Sequence, residues 1–186
     1  MQRAVFLDRD GVLNRAVVRD GKPYPPHELE EFAILPEVPA ALSALHRAGL
    51  LLVVVTNQPD VARGTQRRDV VEAMHRCLRE ALPIDDIRAC YEVDGPESTC
   101  YKPKPGMLLS AAADLAIDLP ASFMIGDRWR DVGAGRAAGC FTIFIDRGYR
   151  ESCRDTPDAV CRDLAEAAVI VLDRVRRRTP WEETSR

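Results

Sequence analysis

Residues 50–55 read Leu-Leu-Leu-Val-Val-Val without a polar interruption, and no other stretch limits the fold so tightly. A short apolar run rich in β-branched residues and closed by Thr56-Asn57-Gln58 suits a strand covered on both faces. Such a strand needs helices above and below it, so the flanking sequence must alternate strands with amphipathic helices. It does. Ala4–Asp8, Leu50–Thr56, Ile87–Glu92, Ser122–Asp127 and Phe141–Asp146 read as strands, with Asp158–Arg162 as a short edge strand. Helices are expected over Pro36–Ala48, from a Thr65 cap to about Leu82, from Pro105 or Gly106 to Ile117, over Asp131–Ala138 and over Leu164–Arg177. Gly49 and Gly139 follow two of these helices as stop signals. The fold class implied is α/β, a three-layer domain on a parallel sheet. One domain is expected over residues 1–178, with 179–186 as a loose tail.

Composition narrows the function classes. The chain has 186 residues, 46% hydrophobic and 30% charged, with a net charge of −3. An acidic balance without a basic stripe disfavours nucleic acid and anionic membrane as partners. The arginines at 174, 176, 177 and 178 are expected to be a solvated helix end, where cations suit the macrodipole. No segment reaches the ~18 apolar residues of a membrane span. The first residues lead straight into a strand-like stretch without the apolar core of a signal peptide, so a cytoplasmic monomer is the expectation. The six cysteines, at 77, 90, 100, 140, 153 and 161, show no disulfide-scaffold spacing and are expected to be reduced.

Polar residues gather where a parallel sheet places its ligand site, beyond the carboxyl ends of strands. The first strand runs into Asp8-Arg9-Asp10-Gly11, two carboxylates on one tight turn. One can serve as nucleophile and metal ligand, the other as acid and base. The second ends in Thr56, whose hydroxyl, with the amides after it, can hold phosphate oxygens. Tyr101-Lys102-Pro103-Lys104-Pro105-Gly106 opens a helix with a lysine held between prolines, a point charge for a phosphoryl group. The fourth ends in Gly126-Asp127-Arg128-Trp129-Arg130-Asp131, and its hard carboxylate oxygens suit Mg²⁺. Asp131 can cap the following helix, bond to Lys102 or support the metal ligands. Taken alone, each piece reads equally well as a turn or a cap. In conjunction and in this order they do not.

That ordered set resembles the haloacid dehalogenase-like (HAD-like) phosphatases. Asp-x-Asp-Gly-Val, a threonine after an apolar strand, Lys-Pro-x-Pro-Gly and Gly-Asp-x-x-x-Asp are the four motifs of that superfamily. Val55-Thr56-Asn57-Gln58, Ala62-Arg63-Gly64 and Lys102-Pro103-Lys104-Pro105-Gly106-Met107 extend the likeness to the branch of heptose 1,7-bisphosphate and histidinol-phosphate phosphatases. The resemblance implies a Rossmann-like sheet without a large cap domain, and a phosphoric monoester hydrolase acting on a small phosphorylated metabolite. Asp8 would be the nucleophile and Asp10 the general acid and base. Thr56, Asn57, Lys102, Arg63 and Arg128 would contact phosphate or substrate. Mg²⁺ would sit on Asp8, the Asp10 main-chain carbonyl and Asp127. The substrate pocket would be built from Asn14–Leu35, Asn57–Thr65 and Glu92–Lys102.

Two departures from the branch concern recognition. Its structural zinc site is reduced here to Cys90 and Cys100, with Glu92 and Ser98 in place of two ligands. A closed zinc site wants four N or S ligands, so zinc is not expected. Tyr101 stands where the branch has an arginine that helps recognise substrate. A heptose bisphosphate is the leading substrate and histidinol phosphate the rival. A non-catalytic binding protein on the same fold is the reading from another class, and the intact Asp8, Asp10, Thr56, Lys102 and Asp127 set argues against it.

Overall fold

In a computed structural model, residues 1–151 and 154–178 are described; the expected tail 179–186 and Cys153 lie outside them. Six parallel strands form the central sheet: β1 (Ala4–Leu7), β4 (Leu51–Asn57), β5 (Asp86–Cys90), β6 (Phe123–Gly126), β7 (Phe141–Ile145) and β8 (Ala159–Cys161). They lie in the order β5-β4-β1-β6-β7-β8. A separate antiparallel hairpin joins β2 (Val17–Arg19) to β3 (Lys22–Tyr24). The helices are α1 (Val38–Arg47), α2 (Pro59–Ala62), α3 (Arg68–Ala81), α4 (Gly106–Leu115), α5 (Trp129–Ala138) and α6 (Leu164–Arg178).

The period-2 alternation of the strands divides the core in two. Val5, Leu7, Leu52 and Val54 face α1 and α6, within a cluster that includes Leu42, Leu45, Leu164 and Val171. Ala4, Phe6, Val53 and Val55 face the other way, against Leu108 and Ala111 of α4 and Ala134 and Ala138 of α5. This explains why β4 is apolar without alternation, since both of its faces are buried. From β1 the chain moves outward through β4 and β5, then returns to the other side of β1 with β6. The crevice at the carboxyl ends of β1 and β6 is therefore the point where strand order reverses, the favoured ligand position in such sheets. Among the described residues no helix is long and apolar enough to cross a membrane.

The structure corrects several expectations. Thr65 does not cap α3; the helix begins at Arg68 with Arg67 in extended backbone before it, while the Thr65 hydroxyl donates to the Asp60 carbonyl at 3.3 Å. Helix α5 starts two residues earlier than expected, and Asp131 lies inside its first turn. Its carboxylate accepts from the Arg128 amide at 3.0 Å rather than capping as the first residue. The hairpin β2–β3 and the short α2 lie in segments read as loops. Arg174 is not simply solvated, because its guanidinium packs 3.9 Å from the ring centre of Phe141. Cys90 and Cys100 are joined as a disulfide rather than reduced. Cys77, Cys140 and Cys161 are free thiols as expected.

Candidate active site

Asp8 is the first residue beyond β1, and its amide donates to the Ile125 carbonyl of β6 at 3.0 Å, which fixes it in the crevice. Gly11 completes the turn with φ +88°. A Cβ on Gly11 would come 1.8 Å from Oδ2 of Asp127, so only glycine lets the turn close over that carboxylate. Gly126 plays the same part for Asp131, whose Cβ lies 2.1 Å from where a Gly126 side chain would begin.

Lys102 reaches this crevice from the loop before α4. Its side chain is only 3% exposed, and Nζ donates to Asp8 Oδ1 at 2.7 Å and to the Val55 carbonyl at 2.7 Å. The ammonium also pairs with Asp131 Oδ1 at 2.6 Å. Burial disfavours its charge, yet Asp131 and Asp8 more than offset that and hold its pKa above the usual lysine value. Asn57 sets the loop. Its amide nitrogen donates to the Lys102 carbonyl at 3.2 Å, and its amide oxygen accepts from the Lys102 amide at 3.0 Å. Asn57, expected on phosphate, thus has its side chain engaged with the backbone of the lysine.

Three buried carboxylates, Asp8, Asp127 and Asp131, bring oxygens within 4.8 Å of one another. Burial raises the Asp8 pKa to about 6, with Lys102 opposing and Asp131 and Asp10 adding to the rise. Burial, then Asp8 and Asp131, push Asp127 well above the usual carboxylate range. Neither Asp127 oxygen makes a well-formed hydrogen bond, and the Tyr149 hydroxyl stands beside the carboxylate. Buried hard oxygens so thinly bonded, beside two more carboxylates, fit a divalent cation such as Mg²⁺, which offsets the mutual repulsion.

Asp10 belongs to a different network. Its carboxylate accepts from Arg9 through Nε and Nη2 at 2.9–3.2 Å, from Asn14 at 3.0 Å and from Gln58 at 2.9 Å. Gln58 also donates to the Thr56 hydroxyl at 2.9 Å, which ties two expected site residues together. Arg9 is fully buried and contacts His75 Nε2 at 3.2 Å. Burial and the Arg9 charge hold His75 down at about 4. Sequence reading missed Arg9, Gln58 and His75, although Arg9 and Gln58 each adjoin a motif residue.

Asp8, Asp10, Thr56, Lys102 and Asp131 open on a cavity of about 320 Å³ whose outer wall includes Lys22, Tyr24, Arg63, Tyr101, Arg128 and Arg130. All three segments expected to build the pocket contribute to it. Arg63 pairs with Asp60 at 2.9 Å, and Arg128 makes a two-pronged pair with Glu151 at 2.8 and 3.0 Å. In the loop below Tyr101, the Ser98 hydroxyl accepts from the Tyr101 amide at 3.0 Å beside the Cys90–Cys100 disulfide.

Residues 99–167 match a family described as HAD-hydrolase-like. The chain is 34% identical over 187 residues to a D-glycero-D-manno-heptose-1,7-bisphosphate 7-phosphatase of Thermosynechococcus vestitus, spanning 88% of this chain and 92% of the relative. The chain belongs to the HAD-like phosphatases. A second relative, the D-glycero-beta-D-manno-heptose-1,7-bisphosphate 7-phosphatase of Pasteurella multocida, is 39% identical and covers 74% of this chain and 78% of its own length. Among solved structures, the D,D-heptose 1,7-bisphosphate phosphatase of B. bronchiseptica, complexed with magnesium and phosphate, superposes with a TM-score of 0.76 at 28% identity. That match covers 92% of this chain and 99% of the other. This chain is a phosphoric monoester hydrolase of that superfamily.

Proposed function

We propose that this enzyme removes the 7-phosphate of D-glycero-D-manno-heptose 1,7-bisphosphate through an aspartyl phosphate on Asp8, as a Mg²⁺-dependent, cytoplasmic monomer. The observation that carries the reaction is the buried pair of Asp8 and Lys102 at 2.7 Å, on the floor of a cavity that also meets Asp10. The substrate rests on the relatives' shared names over most of the chain.

In the first half-reaction an Asp8 oxygen attacks phosphorus. The bond from phosphorus to the sugar oxygen breaks, and Asp10 gives that oxygen a proton. In the second, Asp10 takes a proton from water as its oxygen attacks phosphorus. The bond to Asp8 breaks, leaving inorganic phosphate. Lys102 supports charge on the transferring group, and Asp131 holds Lys102 in place while Asp8 reacts. Arg9, Asn14 and Gln58 fix the Asp10 carboxylate for both proton transfers. Asp8, the Asp10 carbonyl and Asp127 would hold Mg²⁺, which supplies Lewis-acid charge to the phosphoryl oxygens and keeps Asp8 ionised.

The test is phosphate release by purified protein with Mg²⁺ from heptose 1,7-bisphosphate, hexose phosphates and histidinol phosphate. The highest kcat/KM is expected on the heptose bisphosphate. A higher value on histidinol phosphate would reassign the substrate, and no release from any phosphoester would end the catalytic reading.

A further inference from the structure

We propose that Arg130 is a specificity residue that grips the second, remote phosphate of a substrate phosphorylated at both ends; the inference rests on the phosphatase reading above and extends it to recognition. Arg130 is the second residue of α5 and lines the same cavity as Asp8 and Lys102.

What separates it from the other arginines on that wall, Arg63 and Arg128, is how little of its guanidinium is engaged. Arg63 is paired with Asp60 at 2.9 Å and Arg128 with both oxygens of Glu151. Lys102 is enclosed by Asp8 and Asp131. Among the described residues Arg130 meets the carboxylates of Asp94 at 3.6 Å and Glu151 at 3.9 Å, and Glu151 is already bonded to Arg128. Both distances exceed hydrogen-bond reach. The Arg130 Nε is buried with no acceptor. A cation in this state is rare in a folded chain, because a donor that has lost water and gained no partner is destabilising.

Its orientation is nonetheless held. The guanidinium carbon lies 4.7 Å from the Trp129 ring centre and 5.8 Å from that of Tyr101, and Tyr101 is itself buried. Aromatic contacts of this kind engage the faces of the cation. They leave its edge, where paired N–H donors match two oxygens of a phosphate, open to a ligand. A side chain three-quarters shielded and steered by two rings loses little freedom on binding.

The anion it would take is not the one that reacts. The transferring phosphoryl group must lie against Asp8, where Lys102 already supplies the cation. Arg130 makes no ion pair with Asp8, Asp127 or Asp131. Its carboxylate neighbours are the rim residues Asp94 and Glu151. A cavity of about 320 Å³ accommodates a sugar between the two positions.

Binding measured without turnover tests this directly. In an Asp8→Asn background with Mg²⁺, calorimetry compares heptose 1,7-bisphosphate with heptose 7-phosphate, and fructose 1,6-bisphosphate with fructose 6-phosphate, each with Arg130 and with Arg130→Gln. The bisphosphate of at least one pair is expected to bind more tightly when Arg130 is present. Arg130→Gln is expected to weaken that bisphosphate by roughly ten- to hundredfold, at least tenfold more than its monophosphate. Arg130→Lys should recover only part, since a point charge lacks the planar fork. Equal weakening of bisphosphate and monophosphate in both pairs overturns the proposal, and so does a bisphosphate that binds no better than its monophosphate in both pairs. Turnover by the wild-type enzyme decides the other question. If the Arg130 effect appears on the fructose pair alone and heptose bisphosphate is not hydrolysed, the heptose assignment falls while the role of Arg130 stands.

Discussion

The strand-end cluster and the rim of the cavity hold their charges in opposite ways. At the strand ends, Asp8, Lys102, Asp127 and Asp131 are almost wholly buried, and two of the three clustered carboxylates, Asp8 and Asp131, pair with the one ammonium. At the rim, Arg63, Arg128 and Arg130 face solvent in part, beside Asp60, Asp94 and Glu151. The buried set is poised by desolvation and repulsion, with Asp8 raised to about 6 and Asp127 raised well above the usual carboxylate range. Such a set is costly to maintain and sensitive to single changes. Arg63 and Arg128 at the rim are held by ion pairs, which contribute little where solvent reaches them. Chemistry thus depends on the rigid sheet, and selectivity on side chains that can vary without disturbing it.

The largest expected effects therefore belong to the buried set. Asp8→Asn should lower turnover by roughly 10³-fold or more, since an amide oxygen is a poor nucleophile and metal ligand. Its melting temperature should not fall, because the substitution removes one of three buried like charges. Substantial residual turnover, or marked destabilisation, would break the contrast drawn above. Chelation by EDTA should likewise end turnover while Tm shifts little, because metal removal affects the cluster and not the core. The disulfide between Cys90 and Cys100 ties up the thiols that a zinc would need. Elemental analysis should therefore find less than one zinc per chain, and a stoichiometric zinc would contradict this account of the rim.

Asp10→Asn should cost about 10²–10⁴ in rate on a sugar phosphate. The loss should be smaller on p-nitrophenyl phosphate, whose leaving group needs little help from a proton. Equal losses on both substrates would remove Asp10 from the acid role and leave it only a structural part in the Arg9, Asn14 and Gln58 network.

The same contrast explains what could be read from sequence. Asp8, Thr56, Lys102 and Asp127 are legible because each follows or faces a strand whose apolar pattern fixes where it ends. The parallel sheet is legible because Leu50–Val55 admits no half-exposed strand. The rim is legible only as segments. Residues 14–35 read as a pocket wall without internal structure, although Asp20-Gly21, both at positive φ, is the two-residue turn that announces the hairpin Val17–Tyr24 within them. Arg130 is hidden for another reason. Its meaning depends on Tyr101, which lies 29 positions earlier in the chain, and on Asp94 and Glu151 standing slightly too far away. No local pattern encodes a contact that falls short. The Cys90–Cys100 disulfide is not legible, because a single bridge needs only two ends brought together and leaves no scaffold spacing in the sequence.

The smallest effect concerns stability, and it lies behind the cluster, at His75. Burial and the Arg9 guanidinium hold its folded-state pKa at about 4, against 6.5 for an ordinary imidazole. The native state therefore resists a proton that the unfolded chain accepts. The contribution of His75 is fully present above pH 6.5 and is lost as pH falls toward 4, with a ceiling of about 3 kcal/mol. Asp8 works in the opposite direction. Its folded pKa is raised to about 6 from 3.8, so protonation relieves the native state as pH falls through that range. Overall acid stability mixes both signs, and only a difference between variants isolates one group. His75→Gln keeps a polar side chain near Arg9 and removes the titration. Urea unfolding at pH 7 and at pH 4.5 should then show a smaller acid-induced loss in His75→Gln than in the wild type, even if the variant is less stable at pH 7. Equal losses would mean that His75 is not held neutral. Arg9 would then face Asp10 without the neutral partner at its other end, and the buried support of Asp10 would have to come from Asn14 and Gln58 alone.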